Sequence, residues 1–277
     1  NIPVLVDSES YTWNMDIKKI ESSITPKTEA IMMVHIYGLP CDVDPILEIS
    51  KKYNLAIVED AAEIIGGDYK SKPCGSFGTI STFSFYPNKH VTTGEGGMVV
   101  TNNQSLSDRC KSLRNLCFKK EQRFIHDEIG WNYRMTNIQA ALGLAQLERL
   151  DEVIKIKKNI GNKYLELLSN LKKVQLPLEK TSYAENVFWV FGLVLDDALG
   201  DNKRIMEKLN KRGIGTRPFF WPMNKQPVFN KMGYFKNKEF PVAENLSRQG
   251  FYLPSGIGIT DAQIRYVTDQ LISCISD

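Results

Sequence analysis

One lysine, Lys89, stands in the stretch STFSFYPNKHVTTGEGGMVVT (residues 81–101), where a β-rich apolar run breaks at a proline and falls into glycines around one acid. A lysine in such a place is ordinarily a solvated loop residue. An amine at a strand end is also what covalent chemistry on a carbonyl needs. Upstream, AIVEDAAEIIGG closes a buried-type strand with Glu59 and Asp60 and continues to Glu63. Taken alone, Asp60 reads as the cap of the next turn. Set against Lys89, it reads as a carboxylate at one strand end facing an amine at another across a shared crevice.

That pair suits pyridoxal 5′-phosphate. The cofactor is an electron sink only while its ring nitrogen stays protonated, which a buried carboxylate ensures, and its aldehyde requires an amine for a Schiff base. Asp60 fits the first role and Lys89 the second. The phosphate needs hydroxyls and backbone N–H groups, for which Ser84, Thr92, Thr93 and the glycines 94, 96 and 97 are the candidates. TTGEGG is weak by itself, because glycine turns beside strands are usually only turns, and no Gly-Lys-Ser/Thr follows to make a triphosphate loop.

The elements that must position these groups follow from the apolar pattern. From residue 3 to about 101 the chain reads PVLVD, DIKKIESSI, AIMMVHIYG, DPILEISKKYN and LAIVED, short apolar runs alternating with amphipathic stretches. This predicts right-handed βαβ units in a mainly parallel sheet, whose ligands sit beyond the C-terminal strand ends. VHIYG, with His35, and VEDAAE therefore flank the expected site. SLSDRCKSLRNL reads as a helix, and Thr136 caps one long amphipathic helix reaching SNL, with Ile138, Ala141, Leu142, Ala145 and Leu150 at helical spacing. Beyond Pro177, VFWVFGLVL is a predicted strand, DNKRIMEKLNKRG a helix with a glycine cap, and TDAQIRYVTDQLISCI a closing helix. The expected division is a large α/β domain over residues 1–150, then a connecting helix and a smaller α+β domain over 151–277.

Composition narrows the class. With 277 residues, 42% hydrophobic and 24% charged, the chain is an ordinary globular protein. A net charge of +3, spread among acids, predicts no nucleic-acid partner. Five cysteines without a CxxC pair or a histidine at ligand spacing argue against a disulfide framework or a metal site and for a reducing cytoplasm. No apolar run reaches the ~20 residues of a membrane helix, so no membrane is expected. The chain opens NIPVLVDSES without an initiator Met, which suggests that an N-terminal portion is missing.

The stretches VEDAAE, GSFGTISTFSFYPNKHVTTGEGGMVVTN, GWNYRMTNIQAALGLAQLE and GIGTRPFFWPMNKQPVF, in this order across nearly the whole chain, resemble the DegT/DnrJ/EryC1/StrS family of nucleotide-sugar aminotransferases. The resemblance implies a type I, aspartate-aminotransferase-like fold and a homodimer with active sites shared between subunits. It also implies transfer of an amino group from L-glutamate to a nucleotide-linked 4-keto-6-deoxy sugar, for polysaccharide or glycan biosynthesis. By position, Lys89 resembles the Schiff-base lysine, Asp60 the partner of the pyridinium nitrogen and Glu63 the side chain beside the phenolic oxygen. Ala62 would pack on the ring face, Ser84 would bind the phosphate, and Asn132 would reach that phosphate from the other subunit. The family also has a histidine at the place of His35, beside the cofactor.

Arg134 and Arg217 offer bidentate geometry for the substrate's diphosphate, and His90, next to the amine, joins the substrate-binding candidates. A sister branch of keto-sugar dehydratases carries histidine in place of the lysine; here Lys89 precedes His90, which favours transamination over loss of a hydroxyl. Asn224 departs from the pattern, since the most similar branch has histidine there, near the sugar, and an amide cannot carry the proton that imidazole can. Relatives also carry a Gly-Thr phosphate loop and a ring-stacking aromatic ahead of the point where this chain opens. A rival expectation is therefore a truncated, non-catalytic assembly partner.

Overall fold

The computed structural model describes residues 2–119, 121, 122 and 124–276. Strand β1 (Ala30–Val34), helix α1 (Val43–Tyr53) and strand β2 (Ala56–Asp60) form a parallel βαβ unit, with Ala30 opposite Ala56 and Val34 opposite Asp60. α1 ends at Asn54, whose left-handed backbone (φ 53°) a short polar side chain tolerates. A two-residue hairpin follows, β3 (Asp68–Tyr69) with β4 (Lys72–Pro73). β5 (Ile80–Ser84) then joins β2 in parallel, and β6 (Gly97–Val100) returns antiparallel to it. The sheet order β1-β2-β5-β6 is thus mixed, parallel except at one edge. Ile31, Met33, Ile46, Ile57 and Ile64 fill the core beneath it.

Two expected elements in this half differ. PVLVD is no strand: Asp7 is buried and its carboxylate accepts the backbone N–H groups of Ser8 and Ala243, which holds the segment across the fold rather than in a sheet. DIKKIESSI forms two short 3₁₀ turns, Ile17–Lys19 and Glu21–Ser23, instead of an amphipathic helix. The hydroxyls of Ser22 and Ser23 both donate to the Lys19 carbonyl, so side chains satisfy the acceptor that another helical turn would use.

α2 (Gln104–Arg114) follows, and the long helix expected after Thr136 proves to be two, α3 (Asn137–Leu147) and α4 (Leu150–Leu168). Thr136 caps α3 in a reciprocal box with Gln139. The break at Glu148 and Arg149 has a tertiary cause. Gln146 clamps α3 to the backbone of Thr92, while α4 buries Ile160, Tyr164 and Leu168 against the other sheet. The apolar residues of α3 are left open: Ile138 is 84% exposed, and Leu142, Leu144 and Leu147 are about half exposed.

The second sheet is antiparallel, in the order β7-β8-β10-β9. Its strands are β7 (Val174–Gln175), β8 (Phe191–Leu195), β9 (Arg217–Pro218) and β10 (Gly250–Leu253), connected through α5 (Asn202–Lys211), α6 (Pro227–Lys231) and α7 (Pro241–Gln249). α8 (Asp261–Ser276) closes the fold. Every residue of β8 is buried; Phe191, Leu193, Leu195, Ile205, Phe251 and Leu271 meet in its core, each worth roughly 1.5–3 kcal/mol of transfer free energy. β8 starts at Phe191, later than VFWVFGLVL predicts, because residues 187–190 dock on the Tyr37–Gly38 turn through Val187 N–H to the Gly38 carbonyl. Trp13, Tyr37, Trp189, Val190, Val194 and Phe219 form a third apolar cluster there. Among the described residues no helix is long and apolar enough to cross a membrane.

Candidate active site

β2 alternates, so Ile57 and Glu59 point into the core while Asp60 ends the strand at its C-terminal edge. Asp60 Oδ1 accepts the Ala62 N–H at 3.0 Å, which makes the turn into Ala61–Glu63 and keeps Ala62 half-buried beside it. Lys89 sits in the connection from β5 to β6, where its N–H bonds the Tyr86 carbonyl at 3.0 Å. The connection is rigid: Thr93 N–H donates to Phe85 O, Phe85 N–H to Gly96 O, and Gln146 pairs with both backbone groups of Thr92. Gly96 (φ 146°) has no room for a side chain, since a Cβ would meet Thr93 Oγ1 at 2.6 Å.

These elements bring the Lys89 amine, 10% exposed, to 3.6 Å from Glu63 Oε1 and 3.7 Å above the Trp189 ring centroid. Burial pushes the Lys89 pKa below its ordinary value, against the pull of Glu63 and Asp60, so a larger neutral fraction is present than on a solvated lysine. Burial likewise pushes the Glu63 carboxyl up to about 7, opposed by Lys89 and by the Tyr37 N–H that it accepts at 2.9 Å. The pair is a proton-holding dyad in which Glu63 titrates near neutrality beside a lysine of lowered pKa. A mostly buried amine beside carboxylates suits a cofactor that bears an aldehyde and a basic ring nitrogen.

Ser84 ends β5 beside this group; its Oγ accepts the Tyr86 N–H at 3.3 Å, leaving its own proton to donate. Thr92 and Thr93, also expected at a phosphate, have hydroxyls that donate within the connection, to Phe85 O and Glu95 O. Arg217 lies on β9 opposite Tyr252, exposed at the rim of a groove of about 1050 Å³ that Lys203, Phe220, Trp221 and Arg248 also line. Tyr252 also lines the groove, and burial pushes its hydroxyl above its ordinary pKa, with Arg217 pulling it down and Glu63 adding to the rise. Asn132 and Arg134 lie elsewhere, on an exposed segment joined to Asn115.

Three expected site residues have other work. His35 is fully buried: Nδ1 accepts the Cys41 N–H and Nε2 donates to Glu59 Oε1 at 3.0 Å, which leaves neither nitrogen for a cofactor. His90 is also buried, with Nδ1 on the Ile65 carbonyl at 3.0 Å and Nε2 without a partner among the described residues; burial pushes its pKa down to about 4, so the ring is neutral. Asn224 is buried too, and its amide donates to Glu244 Oε1 and the Lys238 carbonyl, tying the 222–244 region together rather than facing a sugar.

Two residues support the site in ways that their sequence context did not reveal. Glu59 accepts from His35 Nε2, Ser81 Oγ and the N–H groups of Gly75, Phe77 and Gly78, and so anchors the β2 end that carries Asp60. Trp189 walls the amine, and the FW inside an apolar run gave no sign of it. Among the described residues, no group of three or more His, Cys, Asp or Glu side chains is placed to hold a metal ion.

Comparison with known proteins shows the family and the fold. The profile of the DegT/DnrJ/EryC1/StrS aminotransferase family matches residues 1–272. GDP-perosamine synthase of Escherichia coli O157:H7 is 40% identical over 275 residues, 99% of this chain and 73% of that one. A Bacillus subtilis protein described as the putative pyridoxal phosphate-dependent aminotransferase EpsN is 33% identical over 278 residues, 98% of this chain and 71% of that one. In fold, PseC of Helicobacter pylori, an aminotransferase involved in pseudoaminic acid biosynthesis, superposes with a TM-score of 0.92 at 24% identity, covering 99% of this chain and 74% of its own.

Proposed function

The chain belongs to the DegT/DnrJ/EryC1/StrS aminotransferase family and is a pyridoxal phosphate-dependent aminotransferase, and from that premise we propose that it moves an amino group from L-glutamate to a GDP-linked 4-keto-6-deoxy sugar. The observation that carries the reading is the buried Lys89 amine held between Glu63 and Trp189 at the C-terminal edge of the sheet. The identity to GDP-perosamine synthase supports the nucleotide and sugar. A cytoplasmic setting agrees with five free thiols.

The residues divide the work. Pyridoxal phosphate, when bound, supplies the electron sink and the aldehyde that accepts the amino group. Lys89 Nζ is the amine that would hold that aldehyde and, when free, would serve as the general base and acid of the transfer; its lowered pKa keeps part of it neutral for the first task. Asp60 would keep the ring nitrogen protonated, and Glu63, close to half-protonated at neutral pH, would stand beside the phenolic oxygen. Ala62 would pack on the ring and Ser84 Oγ would donate to the phosphate. Arg217 binds the diphosphate at the rim of the groove beside Tyr252. Residues 1–150 serve as the cofactor-binding domain and 151–277 as the smaller one. A second copy of the chain covers the exposed apolar residues of α3 and presents Asn132 and Arg134 to its partner's crevice, making a homodimer.

The test is spectroscopic and then chemical. Wild-type protein titrated with pyridoxal phosphate is expected to gain a visible band, and borohydride to fix a cofactor-sized mass on Lys89; Lys89→Ala loses both. A yellow, borohydride-reducible adduct in the alanine variant overturns the assignment. With GDP-, dTDP- and UDP-linked keto sugars and glutamate, the GDP compound should give the amino sugar fastest; loss of a hydroxyl instead would replace transamination with dehydration.

A further inference from the structure

Trp189 reaches the Lys89 turn twice. The indole Nε1–H donates to the carbonyl of Asn88, the residue before Lys89, at 2.9 Å. The ring face of the same indole lies 3.7 Å from the Lys89 Nζ. One side chain from the second half of the chain thus touches both the backbone and the amine of a residue about a hundred positions away.

We propose that Trp189 is a positioning residue, holding the Lys89 amine by its π face and the turn that carries it by its indole N–H. An ammonium over an indole face is attracted by the ring quadrupole, most strongly where water is excluded, as it is around this mostly buried amine. The second bond fixes the height of the turn, so the amine returns to one place whenever it is free.

The fold holds Trp189 firmly enough for the task. A Cβ on Gly38 (φ 100°) would meet the Trp189 nitrogen at 2.4 Å, so the 186–189 segment packs backbone to backbone on the Tyr37–Gly38 turn. Asn186 stiffens that segment by accepting the Phe188 N–H at 2.7 Å and donating to the Leu178 carbonyl. Tyr37, parallel to the indole within 8°, and Phe220, within 21°, flank it at 6.4 Å between ring centroids. The charged and titratable groups around the amine are Glu63 and Asp60, with the buried His90 next in the chain and with Tyr37 and Tyr252 both subject to the Glu63 charge.

The inference rests on Lys89 as the reactive amine, and its test reads the Trp189–Lys89 coupling whether or not the cofactor binds. In the full polypeptide stripped of cofactor, competitive acetylation across pH with peptide mass spectrometry gives the Lys89 pKa. Tryptophans are replaced biosynthetically by mono- to tetrafluorotryptophan, which keeps shape and the N–H donor but drains the π face. The Lys89 pKa is expected to fall with fluorine number, by about one pKa unit at four fluorines. Trp189→Phe should abolish that dependence while the other three tryptophans remain fluorinated. A Lys89 pKa indifferent to fluorination overturns the π-face role. Trp189→Phe also removes the donor to Asn88, so hydrogen exchange at the Lys89 amide should quicken about tenfold; an unchanged rate overturns the turn-holding role. Failure of pyridoxal phosphate to bind wild type, with both responses intact, would count against the cofactor chemistry alone.

Discussion

Glu59→Gln exposes how much of the site depends on a residue that never meets the ligand. The Glu59 carboxylate takes His35 Nε2–H and Gly75 N–H on Oε1, and Phe77 N–H, Gly78 N–H and Ser81 O–H on Oε2. A glutamine has one acceptor end. Whichever way its amide is turned, its NH₂ faces at least two donors that had a partner. Hydrogen bonds to a charged group contribute about 1.5–3 kcal/mol each, and removing one side of a buried charged network costs about 3–5 kcal/mol, so the substitution should cost about 3–5 kcal/mol at pH 7.5.

The cost has a pH signature. Burial alone would raise the Glu59 carboxyl, but the His35 hydrogen bond and the Gly75 and Gly78 amides overcome it and hold the pKa at about 2, against an ordinary 4.5. A depressed folded-state pKa contributes stability that is full above 4.5 and is lost as pH falls towards 2. That linkage is worth about 3.4 kcal/mol, of which about 1.4 kcal/mol is gone by pH 3.5. Urea unfolding of both proteins at pH 7.5 and 3.5 measures it, since the difference between them cancels every other titrating group that the substitution leaves alone. A glutamine variant as stable as wild type at pH 7.5, or a difference that stays constant on acidification, refutes the reasoning.

Other substitutions test other parts of the structure. Glu63 has its pKa raised to about 7, so its ionisation costs stability as pH rises from 4.5 through 7; Glu63→Gln should gain on wild type by up to about 3 kcal/mol between pH 4 and 8, and a pH-independent difference in unfolding free energy would contradict this. Gly161→Ala places a Cβ 2.4 Å from the ring of the buried Phe188, an overpacking expected to cost about 1–3 kcal/mol; an unchanged melting temperature would show that Phe188 has room to move. Thr136→Ala removes the hydroxyl half of the α3 capping box at about 1 kcal/mol, read by denaturant midpoint, while its backbone N–H still donates to Gln139 Oε1; no loss would mean the helix start is held by other contacts. Arg217→Ala should raise KM for the sugar nucleotide at least tenfold with kcat within a few-fold; a fall in kcat alone would remove Arg217 from diphosphate binding.

Local chemistry and period were enough to place Lys89, Asp60 and Glu63 at one sheet edge, because a strand's alternation and its C-terminal end are written in neighbouring residues: AIVED is buried at Ile57 and Glu59 and ends at Asp60. Thr136 was legible for the same reason, since a cap bonds only within its own turn. What long-range packing decides was not. DIKKIESSI has a helix's period, yet Ser22 and Ser23 take the carbonyl that would continue it, and α3 parts from α4 because Thr92 and the second sheet pull them in different directions. His35, His90 and Asn224 have the residue types of a site and the burial of a core, and their partners at Glu59, Ile65 and Glu244 lie 20 or more residues away. Trp189 is the converse, a core residue by its surroundings in sequence. Only the approach of its segment to Gly38, where a glycine alone fits, turns its face to the Lys89 amine. The sequence by itself determined which ionisable groups come to the sheet edge; the tertiary structure decided which side chains hold them, because holding depends on contacts between segments that no local pattern encodes.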